Sequence, residues 1–103
     1  MIAAARRLAQ ALAQRGAERV ILFGSLLDAE RAAPDADVDM VVVMPGLENE
    51  RFHKRLSDLP EVEQFPYPLH LFAYTPDEWE QVRSRWFIRE EVLGKGVVLF
   101  ERD

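Results

Sequence analysis

The stretch that most limits this chain is Val38-Asp39-Met40-Val41-Val42-Val43-Met44, a strongly β-branched run closed by Pro45-Gly46. Branching at Cβ suits a pleated, buried surface, and a Pro-Gly pair ends it in a turn, so the run reads as a strand within a sheet. A second apolar run, Arg19-Val20-Ile21-Leu22-Phe23, closes on Gly24-Ser25 and reads as a buried strand entering a tight turn. Two further runs, Leu69 to Tyr74 and Gly96 to Phe100, bring the expected strands to four.

The segments between them carry helical signals. Ile2, Ala5, Leu8, Ala9 and Leu12 recur at three- and four-residue intervals, and Gly16 is placed to end that helix. Residues Leu26 to Ala33 suit a short helix broken by Pro34-Asp35. Phe52, Leu56 and Leu59 within the charged stretch 48–59 predict a surface helix ending before Pro60. Thr75-Pro76-Asp77-Glu78 has an N-cap followed by proline at the first helical position. That helix is expected to carry Trp79, Val82, Trp86 and Phe87 inward, to continue or restart through Ile88 to Leu93, and to stop at Gly94. The order implies an α+β arrangement, a mixed sheet of about four strands with helices packed on it. A doubly wound parallel sheet is the rival topology, and periodicity does not separate the two.

The bulk numbers set the outer limits. The 103 residues suit one compact domain, 1–103, and a hydrophobic fraction of 49% with 30% charged is that of a globular protein. A net charge of -5 disfavours long nucleic acid as the main partner. Cysteine is absent, which excludes disulfides, thiolate metal sites and cysteine nucleophiles. No run approaches the roughly 20 apolar residues of a membrane span, so a cytoplasmic, membrane-free protein is the expectation.

Chemistry gathers in one short stretch. A Gly24-Ser25 turn at the start of a helix offers free backbone N–H groups and a hydroxyl, and glycine lets a phosphate approach the backbone closely. Asp37 and Asp39, two apart at the head of a strand, project to the same side and can hold one hard cation or bridge two. Without a cation, two like charges so placed repel. A calcium loop of the EF-hand kind fails, since Met40 stands where its glycine belongs and Gly46 where its closing glutamate belongs. Asp35 suits turn chemistry, Arg31 lies in the inter-motif loop, and His53 sits on the charged surface stretch. Trp79, Trp86 and Phe87 read as core in preference to a base-stacking platform.

Taken together, Leu22-Phe23-Gly24-Ser25 and Asp37-Val38-Asp39-Met40-Val41-Val42 resemble the signature of the DNA polymerase beta nucleotidyltransferase superfamily, specifically its minimal nucleotidyltransferase domains. The resemblance implies that Gly24 and Ser25 bind nucleotide phosphates and that Asp37 and Asp39 bind Mg2+. It implies two-metal transfer of a nucleoside monophosphate, AMP from ATP or the equivalent from another nucleoside triphosphate, onto an acceptor. The family's third carboxylate falls at His70, which can ligate a metal or accept a proton but brings no negative charge. The basic and glycine residues usual after Gly-Ser are replaced by Leu26, Leu27 and Ala29, which implies weaker triphosphate contacts. Minimal members commonly pair with a helical HEPN protein as the antitoxin of a toxin-antitoxin system, so a HEPN partner or self-association is expected. The alternative is a catalytically degenerate binding module that caps or regulates a partner, motivated by His70.

Overall fold

The computed structural model describes residues 1–24, 27 and 37–102. The expected short helix of residues 26–33, together with Ser25, Arg31 and Asp35, lies outside them apart from Leu27.

The chain opens with α1 (Ile2–Gln14), whose Ala4, Ala5, Leu8, Ala9 and Leu12 are buried along one face. It ends in a Schellman motif: Gly16 N–H donates to Ala13 O at 3.1 Å and Ala17 N–H to Leu12 O at 3.0 Å. Gly16 takes φ +110°, a value that side-chain-bearing residues avoid, which is why glycine stands there. Next come β1 (Arg19–Phe23) and β2 (Val38–Val43), then a 3-10 turn at Phe52–Lys54 and a one-turn helix α2 (Pro60–Glu63). The last part holds β3 (Leu69–Tyr74), α3 (Pro76–Val82), a π-helical turn at Ile88–Leu93 and β4 (Val97–Glu101).

The four strands form one mixed sheet in the order β3-β2-β1-β4. Strand β1 runs antiparallel to both β2 and β4, while β2 and β3 are parallel, which rules out the all-parallel rival. Alternation along the strands sorts the core into two layers. Val20, Leu22, Val38, Met40 and Val42 face α1, whereas Ile21, Phe23, Val41 and Val43 pack with Trp79, Ile88 and Val92 from α3 and the π-helical turn. The central strands are apolar almost throughout because both of their faces are covered.

Strand β3 and the start of α3 match the sequence expectation. Thr75 Oγ1 accepts from Glu78 N–H at 3.2 Å while Glu78 accepts from Thr75 N–H at 3.0 Å, a complete capping box with Pro76 at the first turn.

The helix expected over 48–59 does not form. Its place is taken by the 3-10 turn at Phe52–Lys54, after which Leu56 adopts φ +67°. Arg55 turns inward instead, donating to Ala73 O at 3.0 Å, to Glu50 O at 3.2 Å and to both carboxylate oxygens of Glu78. A buried guanidinium satisfied by strand β3 and helix α3 outweighs a spacing of three apolar residues. Pro60 begins α2 where it was expected to end a helix. The aromatic group also divides: Trp79 is core at 3% exposure, while Trp86 and Phe87 are 64% and 49% exposed.

Candidate active site

Strand register assembles the candidate residues. Asp39 pairs with Phe23 across the β1–β2 ladder and with His70 across the β2–β3 ladder, so Phe23, Asp39 and His70 form a row on one face of the sheet. Asp37, two residues before Asp39, reaches the same side.

The His70 ring bridges the two carboxylates. Its Nδ1 lies 3.0 Å from Asp39 Oδ1 and its Nε2 lies 3.5 Å from Asp37 Oδ2. The ring is more than half exposed, so it does not pack into the aromatic core beside Phe72 and Tyr74. The imidazole thus stands between two carboxylates that would otherwise face one another with like charge.

Gly24 supports Asp39 from the other side. It holds φ +89°, and a Cβ built on it would overlap the Asp39 carboxylate, with Asp39 Cγ at 3.2 Å and Cβ at 3.3 Å. The turn after β1 and the first aspartate of β2 are thus in van der Waals contact. Gly24 O also accepts from Leu27 N–H at 3.1 Å. This contact was not legible in the sequence, where Gly24 carried only a phosphate reading. Ser25 lies outside the described residues.

The donor set suits a small hard cation. Mg2+ takes one or two carboxylates and completes its shell with water and substrate phosphate oxygens, which Asp37 and Asp39 can support. Among the described residues, no group of three or more His, Asp or Glu side chains is arranged to hold one ion. His70 sits between the carboxylates and uses both ring nitrogens on them, so it is their partner and not a third converging ligand.

The family model described as a nucleotidyltransferase domain matches residues 5–99. The chain belongs to that family. Nucleotidyltransferase domains generally use a nucleoside triphosphate and a divalent metal, and the family and fold are those of a transferase. Among solved structures, a protein from Sulfolobus solfataricus, provisionally described as a nucleotidyltransferase, superposes with a TM-score of 0.63 at 18% identity, covering 99% of this chain and 81% of that one. At that identity the likeness is one of nucleotidyltransferase fold. No curated protein matches the sequence. Among the described residues, no helix is long and apolar enough to cross a membrane.

Proposed function

We propose that residues 1–103 form a single magnesium-dependent nucleotidyltransferase domain that moves a nucleoside monophosphate, AMP from ATP, onto an acceptor. The observation that supports this reading is the packing of the Asp39 carboxylate against Gly24, which brings the proposed phosphate turn and the proposed metal carboxylates side by side.

In this reading Gly24 and Ser25 present backbone N–H groups and a hydroxyl to the triphosphate. Asp37 and Asp39 hold the divalent ion, which when bound neutralises phosphate charge and lowers the proton affinity of the acceptor oxygen. Asp39 divides its two oxygens: Oδ2 faces the Gly24 turn, while Oδ1 holds His70 Nδ1. In its neutral form His70 keeps Nδ1–H on Asp39 Oδ1, and Nε2, turned away from Asp37, accepts the acceptor's proton. The acceptor oxygen forms a bond to the α-phosphorus as the bond to the bridging oxygen breaks, and pyrophosphate leaves. The acceptor is proposed to be a HEPN-type helical partner, with this chain as the antitoxin of the pair.

A second reading is a catalytically degenerate module that caps or regulates a partner, favoured by the engagement of both His70 nitrogens with the carboxylates. Incubation with ATP, MgCl2 and the candidate partner, followed by intact-mass spectrometry, separates the two. The transferase reading expects an AMP adduct on the partner that is lost in Asp37→Ala and Asp39→Ala. No adduct with wild type, but transfer by His70→Asp, would support the capping module.

A further inference from the structure

We infer that Phe87 and Trp86 form a stacking platform for the nucleobase of the bound nucleotide, an inference that rests on the nucleotide reading of the Asp37–Asp39 site and adds to it the recognition of the base. The row His70, Asp39, Phe23 runs across the sheet from β3 to β1 on one face. Phe23 is buried beneath the end of that row and immediately precedes Gly24. The Phe87 ring sits on Phe23 with centroids 6.1 Å apart at an interplanar angle of 82°. Phe72, two residues beyond His70 on β3, also packs on Phe23, with centroids 5.6 Å apart. One strand spacing of about 4.8 Å separates Asp39 from Phe23, so the Phe87 ring lies on the order of 10 Å from the carboxylates, along the same face. A ribose and its α-phosphate bridge a gap of that order.

Exposure points the same way. In an edge-to-face pair the rings do not stack on each other, so Phe87 keeps at least one π-face that Phe23 does not cover. The adjacent Trp86 is the most exposed large hydrophobic side chain among the described residues. The exposed aromatic pair is thus linked to the carboxylate row through the packing of Phe87 on the buried Phe23. Basic side chains beside the rings suit the anionic phosphates of a nucleotide. Arg83, Arg85 and Arg89 flank the aromatic pair; Arg83 and Arg89 are taken up by Glu80 and Glu90, while Arg85 has no carboxylate partner among the described residues. Stacking on two aromatic rings accepts any base but gains most from the larger face of a purine.

Isothermal titration calorimetry in MgCl2 with ATP, UTP and inorganic tripolyphosphate tests the platform, using wild type, Trp86→Ala, Phe87→Leu and Asp39→Asn. Phe87→Leu keeps an apolar contact to Phe23 while removing the π-face, so that folding is preserved. The expected result is ATP binding weakened about 10-fold in Trp86→Ala and in Phe87→Leu, tripolyphosphate affinity unchanged in both, and ATP bound more tightly than UTP by wild type. Unchanged ATP affinity in both aromatic variants, with tripolyphosphate binding still lost in Asp39→Asn, overturns the platform and leaves the site reading intact. Equal losses for ATP and tripolyphosphate assign the aromatics a purely structural role and also overturn it. A change in sedimentation with no change in ATP affinity assigns the patch to self-association instead. No binding of ATP or tripolyphosphate by wild type overturns the platform together with the site reading beneath it.

Discussion

His70 and Asp39 occupy paired positions on β3 and β2, and the Nδ1 of one lies 3.0 Å from Oδ1 of the other. The ring therefore stands between Asp39 and Asp37, two carboxylates of like charge. Replacing it by a carboxylate should reverse the balance. His70→Asp is expected to lower the stability of the metal-free protein by about 1 kcal/mol, through like charges on neighbouring strands. It should also gain more stability than wild type on addition of MgCl2. Thermal unfolding in EDTA and in MgCl2 checks both; equal metal responses in the two proteins would show that His70 does not govern the site.

Gly24→Ala tests the contact between the turn and the site. The substitution meets two obstacles, a φ of +89° and the Asp39 carboxylate. The backbone strain alone costs about 1–2 kcal/mol, equivalent to a fall in Tm of roughly 5–10 °C for a chain of this size. Gly46→Ala is the matched control, because Gly46 has φ +91° and an added Cβ there would meet nothing within 4 Å. Both variants should lose stability, and only Gly24→Ala should also lose its response to magnesium with ATP.

Much of this architecture was readable because local signals agreed with tertiary need. Gly16 marks a real helix end, Thr75 through Glu78 a real helix start, and the β-branched run of β2 a central strand. The stretch 48–59 misled because its apolar spacing was helical while its decisive residue was charged. Nothing in sequence order announces that Arg55 will be buried against Ala73 and Glu78, far along the chain. Trp86 and Phe87 misled for a related reason: their spacing from Trp79 suits one helix, but α3 ends at Val82, and after a turn at 83–85 the two residues open the next helical segment with both rings exposed. For the candidate site, Asp37, Asp39 and Gly24 were identifiable by type and spacing. The His70 bridge and the Gly24–Asp39 contact depend on strand register, which spacing does not specify.

The Arg55–Glu78 pair makes part of the stability pH-dependent. Hydrogen bonds from Arg55, and then from the Thr75 backbone N–H, hold the Glu78 carboxyl well below its ordinary 4.5, at about 2. A depressed pKa in the folded state contributes stability that is present above about 4.5 and lost as pH falls from there through about 2. Glu78→Gln should therefore be less stable than wild type at pH 6, and the gap should narrow at pH 3. A gap that stays constant over that range in thermal unfolding would contradict the assignment. Arg55→Lys should not rescue what Arg55→Ala loses, since a single ammonium cannot serve Glu78, Ala73 O and Glu50 O in the same geometry.

Trp79 offers a test of the core. Its indole N–H is buried without a hydrogen-bond partner among the described residues. The ring packs against Tyr74, with centroids 5.9 Å apart, within the cluster that holds Ile21, Phe23, Val41 and Val43. Trp79→Phe keeps an aromatic ring and removes the unsatisfied donor, so denaturant unfolding should show a stability within about 1 kcal/mol of wild type. Trp79→Ala should cost about 3–5 kcal/mol.

The functional reading stands or falls with Asp37 and Asp39 as a site for a divalent ion and a nucleoside triphosphate. The decisive quantity is the Tm of wild type, Asp37→Asn and Asp39→Asn with ATP, in EDTA and in MgCl2. A ligand that binds only the folded state must raise its stability. Wild type is expected to show a rise in Tm that requires magnesium and ATP together and disappears in both variants. A wild-type Tm indifferent to magnesium and ATP, or a rise that persists in Asp39→Asn, would contradict that reading.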